Sequence, residues 1–401
     1  MTKKQKAILT ILVVIHIILI TLTLTGKLNT FFNDASLRKG KAADFFAVYQ
    51  AGDNILRGES VYLDTEGIST PYSFPFRYLP FIGYSLGVIL NSFSPFTAYY
   101  IWIIVYEILL GVNIYLTWKL CKVKQHFLFA IVPWLLFSPY LIEVFMGQWT
   151  FLLSSLIFYS IYGILKNNRA KYLYILAPLV KPNALILVPL FLKLKKYKVL
   201  ILTALGIFIT STLYFLFFKD DIQIFMQNFQ DVLYSHGGNL GFKSLYYLLA
   251  VEYLSIPIPR VLFFGFVALL GALTTYLTFK YKNIALSLTL WICFYFMIYK
   301  DVWEHHYVLL MPVFSLLASL YGVKLRKEKY KYLLPIVISF ILIALPTPFI
   351  LQCLFVKNPP AEPDTLSPLF VIPYHSMKII GVIMLYTWSA LNIRRLKNSV
   401  N

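Results

Sequence analysis

The sequence predicts an all-α polytopic membrane protein: about ten full spans, one broken helical hairpin, and a helical loop lying at the outer membrane interface. Three observations lead there. Of the 401 residues, 59% are hydrophobic and the mean hydropathy is +0.71, whereas a soluble domain is about 45 to 50% apolar. Apolar runs long enough to span a bilayer recur along the chain, and basic residues gather in the short segments between them.

Taken in order, the runs cover residues 7–24, 98–118, 127–141, 151–165, 199–218, 261–279, 284–298, 307–321, 332–351 and 377–391. Lys3, Lys4 and Lys6 precede the first, and no small-x-small cleavage site follows it, so it reads as an uncleaved signal anchor. Residues 83–90 lie between Pro80 and Pro95 and are too short to cross, which suits a re-entrant or interfacial helix. Residues 172–192 are long enough but carry Lys181-Pro182 at their centre, and we read them as a hairpin with Lys181 near its tip.

Charge decides the topology. With those two segments returning to the side they left, 23 of the 36 basic residues fall in the cytoplasm and 15 of the 17 acids lie outside. Both termini are then cytoplasmic, and crossing either segment once would reverse every downstream cluster. The net charge of +19 therefore reflects orientation in the membrane rather than a nucleic-acid partner. Cys121, Cys293 and Cys353 lie far apart, which indicates neither a disulfide framework nor a zinc site. The outer face receives loops 26–79, 219–260 and 353–375, with short corners at 138–150 and 300–306. The chain reads as one domain over 1–401, with a core over about 1–321 and C-terminal helices over 322–401.

Polar chemistry concentrates in those outer segments. In ADFFAVYQAGDNIL, Phe45, Tyr49, Gly52 and Leu56 make one apolar stripe of a surface helix. Asp44 and Asp53 point to opposite faces of that helix, so only one can serve a given site. Asp44 opens the helix, where an acid is also favoured as an ordinary cap. Arg77, pinned between Pro75 and Pro80, is suited to bidentate phosphate recognition. In MGQWT, directly after Glu143, Gln148 offers a donor and an acceptor for a sugar hydroxyl. Lys181 sits at a proline break inside the membrane, where an ionisable group is either functional or snorkelling. Asn239 follows two glycines in GGNLGFKSL. In KDVWEHHY, Asp301, Trp303, Glu304, His305 and His306 gather at the mouth of a span; adjacent histidines diverge on a helix, which disfavours a shared metal and leaves them as donors to an anion. No P-loop, GxGxxG, HExxH or GxSxG motif is present.

The order ADFFAVYQAGDNILRGESVY, FRYLP, GQWT, LVKPNALILVPLFLK, GGNLGFKSL, VWEHHY resembles the membrane glycosyltransferases of the GT-C fold, specifically glycosyltransferase family 87, the polyprenyl-phosphate-mannose-dependent mannosyltransferases. The resemblance covers roughly residues 1–321. Departures are Ser60-Val61-Tyr62 for Asn-Pro-Tyr, Leu79-Pro80 for Pro-Pro, and Thr150 for the Asn that commonly follows GQ. It implies a GT-C-like fold in a bacterial cytoplasmic membrane. The implied reaction moves one sugar, mannose by analogy, from a polyprenyl-phosphate sugar donor to a glycan, glycolipid or protein-linked glycan acceptor. Asp44 matches the family's catalytic acid position, and the histidine motif lines its donor site.

An inventory of residue types agrees. A polyprenyl phosphate leaves as a stabilised anion, so the site needs one general base and cationic or donor groups on the phosphate. We therefore expect Asp44 as base, Arg77, Lys181, His305 and His306 on the donor phosphate, and Tyr49, Gln148, Asn239, Trp303 and Glu304 at the substrates, with no metal and no cofactor. The rival expectation is a transporter or flippase for a lipid-linked sugar, for which the broken hairpin and the intramembrane Glu107 speak.

Overall fold

A computed structural model describes residues 2–28, 40–63, 69–71, 75–121, 123, 126–227, 239–327, 333–347 and 368–396. Much of the expected outer loops, and the basic residues Lys122, Lys124, Lys329, Lys331 and Lys397, lie outside the described residues. Among the described residues there is no strand. The longer helices are α1 (Lys3–Leu24), α2 (Ala43–Leu56), α3 (Pro80–Leu90, with a π turn at Gly83–Gly87), α4 (Pro95–Leu120), α5 (Phe127–Leu135), α6 (Ser138–Met146) and α7 (Thr150–Leu165). After the broken segment come α8 (Tyr197–Phe217), α9 (Phe242–Tyr247), α10 (Pro259–Lys280), α11 (Ile284–Ile298), α12 (Met311–Lys327), α13 (Leu333–Ala344) and α14 (Pro368–Asn392).

Among the described residues five stretches, α1, α4, α5 with α6, α8 and α10, are long and apolar enough to cross a membrane. Their outward surfaces are hydrocarbon: Ile17 on α1, Phe208 on α8 and Leu269 on α10 are all more than half exposed. In water such surface would drive association, whereas lipid accepts it. Hydroxyls on these helices bond to the backbone of their own helix, as where Thr21 donates to the Ile17 carbonyl at 2.8 Å and Thr210 to the Gly206 carbonyl at 2.8 Å, which spares lipid an unbonded polar group. The arrangement fits a helical, multi-pass membrane protein.

The chain divides into two compact units. One contains Lys39–Asn113 and Glu143–Asp231; the other contains Met1–Arg38, Ile114–Ile142 and Val232–Asn401.

In the first unit, α2 is not the surface helix with one buried stripe that its sequence predicts. Phe45, Phe46, Ala47, Val48, Tyr49, Gln50, Ala51 and Gly52 are all buried, while Leu56, expected on the buried stripe, is exposed. The reason is a backbone-to-backbone approach of α2 to α3: a Cβ on Gly52 would stand 2.1 Å from the Gly87 carbonyl carbon, and one on Gly87 would stand 2.5 Å from the Val48 oxygen. Two facing glycines let the helices close until side chains on both flanks of α2 are covered. Asn91 fastens the pair by donating to the Tyr49 and Gly87 carbonyls, each at 2.8 Å.

The broken segment folds back as a hairpin. It runs through a 3-10 turn at Arg169–Ile175, a short helix at Ala177–Val180, a second 3-10 turn at Pro182–Leu187 and a helix at Val188–Lys193. Its arms meet where the Tyr174 ring stacks on Phe191 at 3.9 Å and the Tyr174 hydroxyl donates to the Ala184 carbonyl at 2.7 Å. Lys181, extended at φ −145° and ψ 123°, occupies the reversal. Pro182 enforces that conformation, because the residue before a proline is pushed out of the helical region.

In the second unit, α5 packs on α12 around Trp134, whose indole N–H lies 2.9 Å from both Thr117 Oγ1 and Ser315 Oγ. Helices α13 and α14 close on Gly381, where Ser339 donates to the Gly381 carbonyl at 2.6 Å.

Candidate functional site

In the first unit, Glu143 and Asp44 stand near Lys181. Burial leaves the lysine 7% exposed, and its ammonium donates to Gln148 Oε1 at 2.8 Å and to Thr150 Oγ1 at 2.7 Å. The Tyr78 ring lies beneath the charge at 5.5 Å, a favourable cation–π placement. Gln148 Oε1 also accepts from the Tyr78 hydroxyl at 3.1 Å and from the Trp149 N–H at 3.2 Å. One amide oxygen thus anchors three donors. It is placed there by the corner between α6 and α7, where Gly147 adopts φ +64° and a Cβ would meet Phe45 Cβ at 2.5 Å, so only glycine fits.

Glu143, fully buried on α6, accepts from the Phe151 N–H at 2.6 Å and from the Tyr106 hydroxyl at 3.4 Å. Its carboxylate therefore sits at the amino end of α7, where the helix dipole favours an anion. Asp44 and Lys181 both stand close enough to act on the Glu143 charge, and Asp44 acts on Lys181 as well. Asp44 is not the capping residue of α2. That place belongs to Ala42, held at φ +66° by donating its N–H to the Phe145 carbonyl at 2.8 Å. The bond ties the start of α2 to the end of α6, which brings Asp44 towards the Glu143 and Lys181 charges.

Other expected residues have different surroundings. Arg77 is exposed, and its buried neighbour Tyr78 is the residue that reaches Gln148. Tyr49 is buried with its hydroxyl donating to the Phe93 carbonyl at 2.7 Å. Burial, with Asp53 nearby, raises its pKa and keeps it a neutral donor. Asp53 is paired with Arg57 at 3.3 Å, one turn along α2.

No protein-family model matches the chain. No curated protein matches it in sequence either.

The second unit builds a polar cluster around the 3-10 turn Glu304–Leu310. Glu304 forms a completely buried ion pair with Lys378 of α14 at 2.9 Å. His305 and His306 are buried beside it, their rings 4.3 Å apart. The Trp303 N–H donates to His306 Nδ1 at 3.0 Å, so in the neutral ring the proton is on Nε2. Asn239 ties the preceding strand of chain in place by donating to the Lys300 carbonyl at 2.6 Å while its Oδ1 accepts from Gly241 and Val302. The Asn239 carbonyl lies 2.8 Å from His375 Nδ1. Among the described residues no group of three His, Cys, Asp or Glu is placed to hold a metal ion.

The residues that sequence reasoning missed are Tyr78, Tyr106, Glu143, Thr150, His375 and Lys378. Glu143 carried a signal, an acid five residues before Gln148 in an otherwise apolar stretch. Tyr78 and Tyr106 look like any aromatic of a membrane belt, and Lys378 and His375 lie beyond the stretch that carries the family resemblance.

Proposed function

We propose that the chain is a membrane glycosyltransferase that moves a single sugar from a polyprenyl-phosphate carrier to an acceptor hydroxyl at the outer face of the membrane. Asp44 is its general base, and mannose is the sugar the motif order favours. In this reading the chain has about ten spans, with both termini in the cytoplasm. The membrane is the bacterial cytoplasmic membrane.

The observation that carries the reading is the setting of Lys181. This buried cation donates its hydrogen bonds to two neutral oxygens, from Gln148 and Thr150, while the Glu143 charge and, less strongly, the Asp44 charge act on it from further off. Two of its three N–H groups are engaged by those oxygens, which leaves donor capacity for an anionic ligand. A buried ammonium so placed suits a phosphate whose negative charge grows as it leaves, and a low-dielectric surrounding strengthens that interaction.

In the reaction, the acceptor oxygen forms a bond to the anomeric carbon while the bond from that carbon to the phosphate oxygen breaks. The bonding pair leaves with the polyprenyl phosphate, and the acceptor's proton passes to the Asp44 carboxylate. Glu143, spent on the start of α7, is a positioning carboxyl rather than a second base. The histidine motif supplies donors to the lipid phosphate by resemblance.

A second reading has its own support. The group Asp44, Glu143 and Lys181 is ionisable and lies inside a membrane protein, as in ion-coupled transporters. One experiment separates the two. Purified protein in detergent is incubated with labelled polyprenyl-phosphate mannose and candidate glycan and glycolipid acceptors. Formation of a glycosidic product in detergent supports the transferase; lipid flipping in vesicles without bond formation supports the transporter.

A further inference from the structure

Lys378 lies on α14, outside the part of the chain in which the site motifs fall, yet its surroundings tie it to the histidine turn. Its ammonium donates to the Ile343 carbonyl at 2.7 Å, to the Leu345 carbonyl at 2.9 Å and to Glu304 Oε1 at 2.9 Å. Three N–H groups thus meet three acceptors, and no donor capacity remains for a ligand. The two carbonyls close the C-terminal end of α13, whose last turns would otherwise leave acceptors unbonded. Glu304 also accepts from the Thr347 N–H at 3.3 Å. The Tyr307 ring packs 5.5 Å from the ammonium, and its hydroxyl donates to the Leu240 carbonyl at 2.8 Å.

Taking two charges out of water is costly, and a hydrophobic pair of similar volume often serves stability as well or better. What this completely buried pair supplies beyond stability is orientation. Here it orients the first residue of the 3-10 turn, and the next two residues are His305 and His306. We infer that Lys378 is a positioning residue: acting through Glu304, it fixes the turn that presents the histidine pair, and so makes the C-terminal helix α14 part of the donor-binding apparatus. The functional half of this inference rests on the reading that the histidines serve the lipid phosphate.

The test compares full-length Lys378→Met, Glu304→Gln and the double variant Glu304→Gln/Lys378→Met in nanodiscs by three readouts. These are melting temperature, diethylpyrocarbonate modification of His305 and His306 followed by peptide mass, and steady-state transfer with the KM for polyprenyl-phosphate mannose. Each single variant leaves a buried charge without its partner and is expected to melt lower. The double variant removes both charges and is expected to melt above either single variant but below the wild type, because the Ile343 and Leu345 carbonyls lose their donor, and still to show about tenfold faster histidine modification and a tenfold or greater rise in donor KM, because the turn has lost its anchor. Wild-type histidine reactivity in the double variant would overturn the inference, since the pair would then serve stability alone. Altered histidine reactivity with an unchanged donor KM would keep the positioning and remove the link to the donor. If the wild-type protein itself transfers no sugar, the functional reading fails, while histidine reactivity still tests the positioning.

Discussion

The ammonium of Lys181 lies 2.8 Å from the side-chain oxygen of Gln148, and that same oxygen accepts from Tyr78 and Trp149. Gln148 is thereby the hub of the cluster, although in sequence it reads only as a residue suited to a sugar hydroxyl. Replacing it with leucine takes an acceptor from three buried donors, and a buried donor left unsatisfied costs roughly 1 to 3 kcal/mol. We expect Gln148→Leu to lower the melting temperature clearly and to weaken donor binding, as measured by thermal unfolding and by binding of polyprenyl phosphate. An unchanged melting temperature would show that Lys181 finds other partners.

Asp44 and Asp53 share one helix and differ in surroundings. Asp44 acts on Glu143 and Lys181, while Asp53 is paired with Arg57. General-base catalysis contributes typically ~10² to 10⁴-fold. Asp44→Asn should lose about that much single-turnover rate with donor binding retained, and Asp53→Asn should lose little. Near-normal chemistry in Asp44→Asn would place the base elsewhere.

Lys181→Met should raise the dissociation constant for polyprenyl phosphate tenfold or more, since a charge-assisted contact in a dry site is a strong one. Arg77→Ala, at an exposed position, tests whether the phosphate reaches the surface segment: a matching loss would extend the donor site to Arg77. If neither substitution changes donor affinity, the lysine is not a phosphate ligand.

Gly52→Ala and Gly87→Ala each place a methyl group on backbone atoms of the facing helix, and overpacking of this kind costs typically ~1 to 3 kcal/mol, or more where backbone cannot give way. Both should melt well below the wild type. Gly111→Ala is the control, because a Cβ there meets nothing within 4 Å and alanine favours a helix over glycine. Equal melting temperatures for all three would mean that α2 and α3 do not approach so closely.

Because the arms of the hairpin meet at Tyr174 and Phe191, the segments 166–171 and 193–198 should lie on the same side of the membrane. Single cysteines placed at Lys166 and Lys195 should both resist an impermeant maleimide added from outside. Labelling of one alone would mean that the segment crosses.

What the sequence by itself determined is whatever a local window of residues carries. The helical, apolar character of the chain was legible because a run of apolar residues has few alternatives to a helix in lipid. The break at Lys181 was legible because a proline acts on its immediate neighbours. The tight corner at Gly147 and the polar character of Asp44, Gln148 and the histidine turn were legible for the same reason. The tertiary structure alone decided who meets whom. Gln148 is 33 residues from Lys181 and 70 from Tyr78, and no local pattern marks such partners. The sequence likewise gives α2 one buried stripe, but a helix has as many buried faces as its neighbours cover, and two glycines distant in sequence set how closely α3 approaches. Lys378 is the clearest case: in isolation it is a lysine in an apolar helix, and only packing supplies the carboxylate and the two carbonyls that make its burial tolerable.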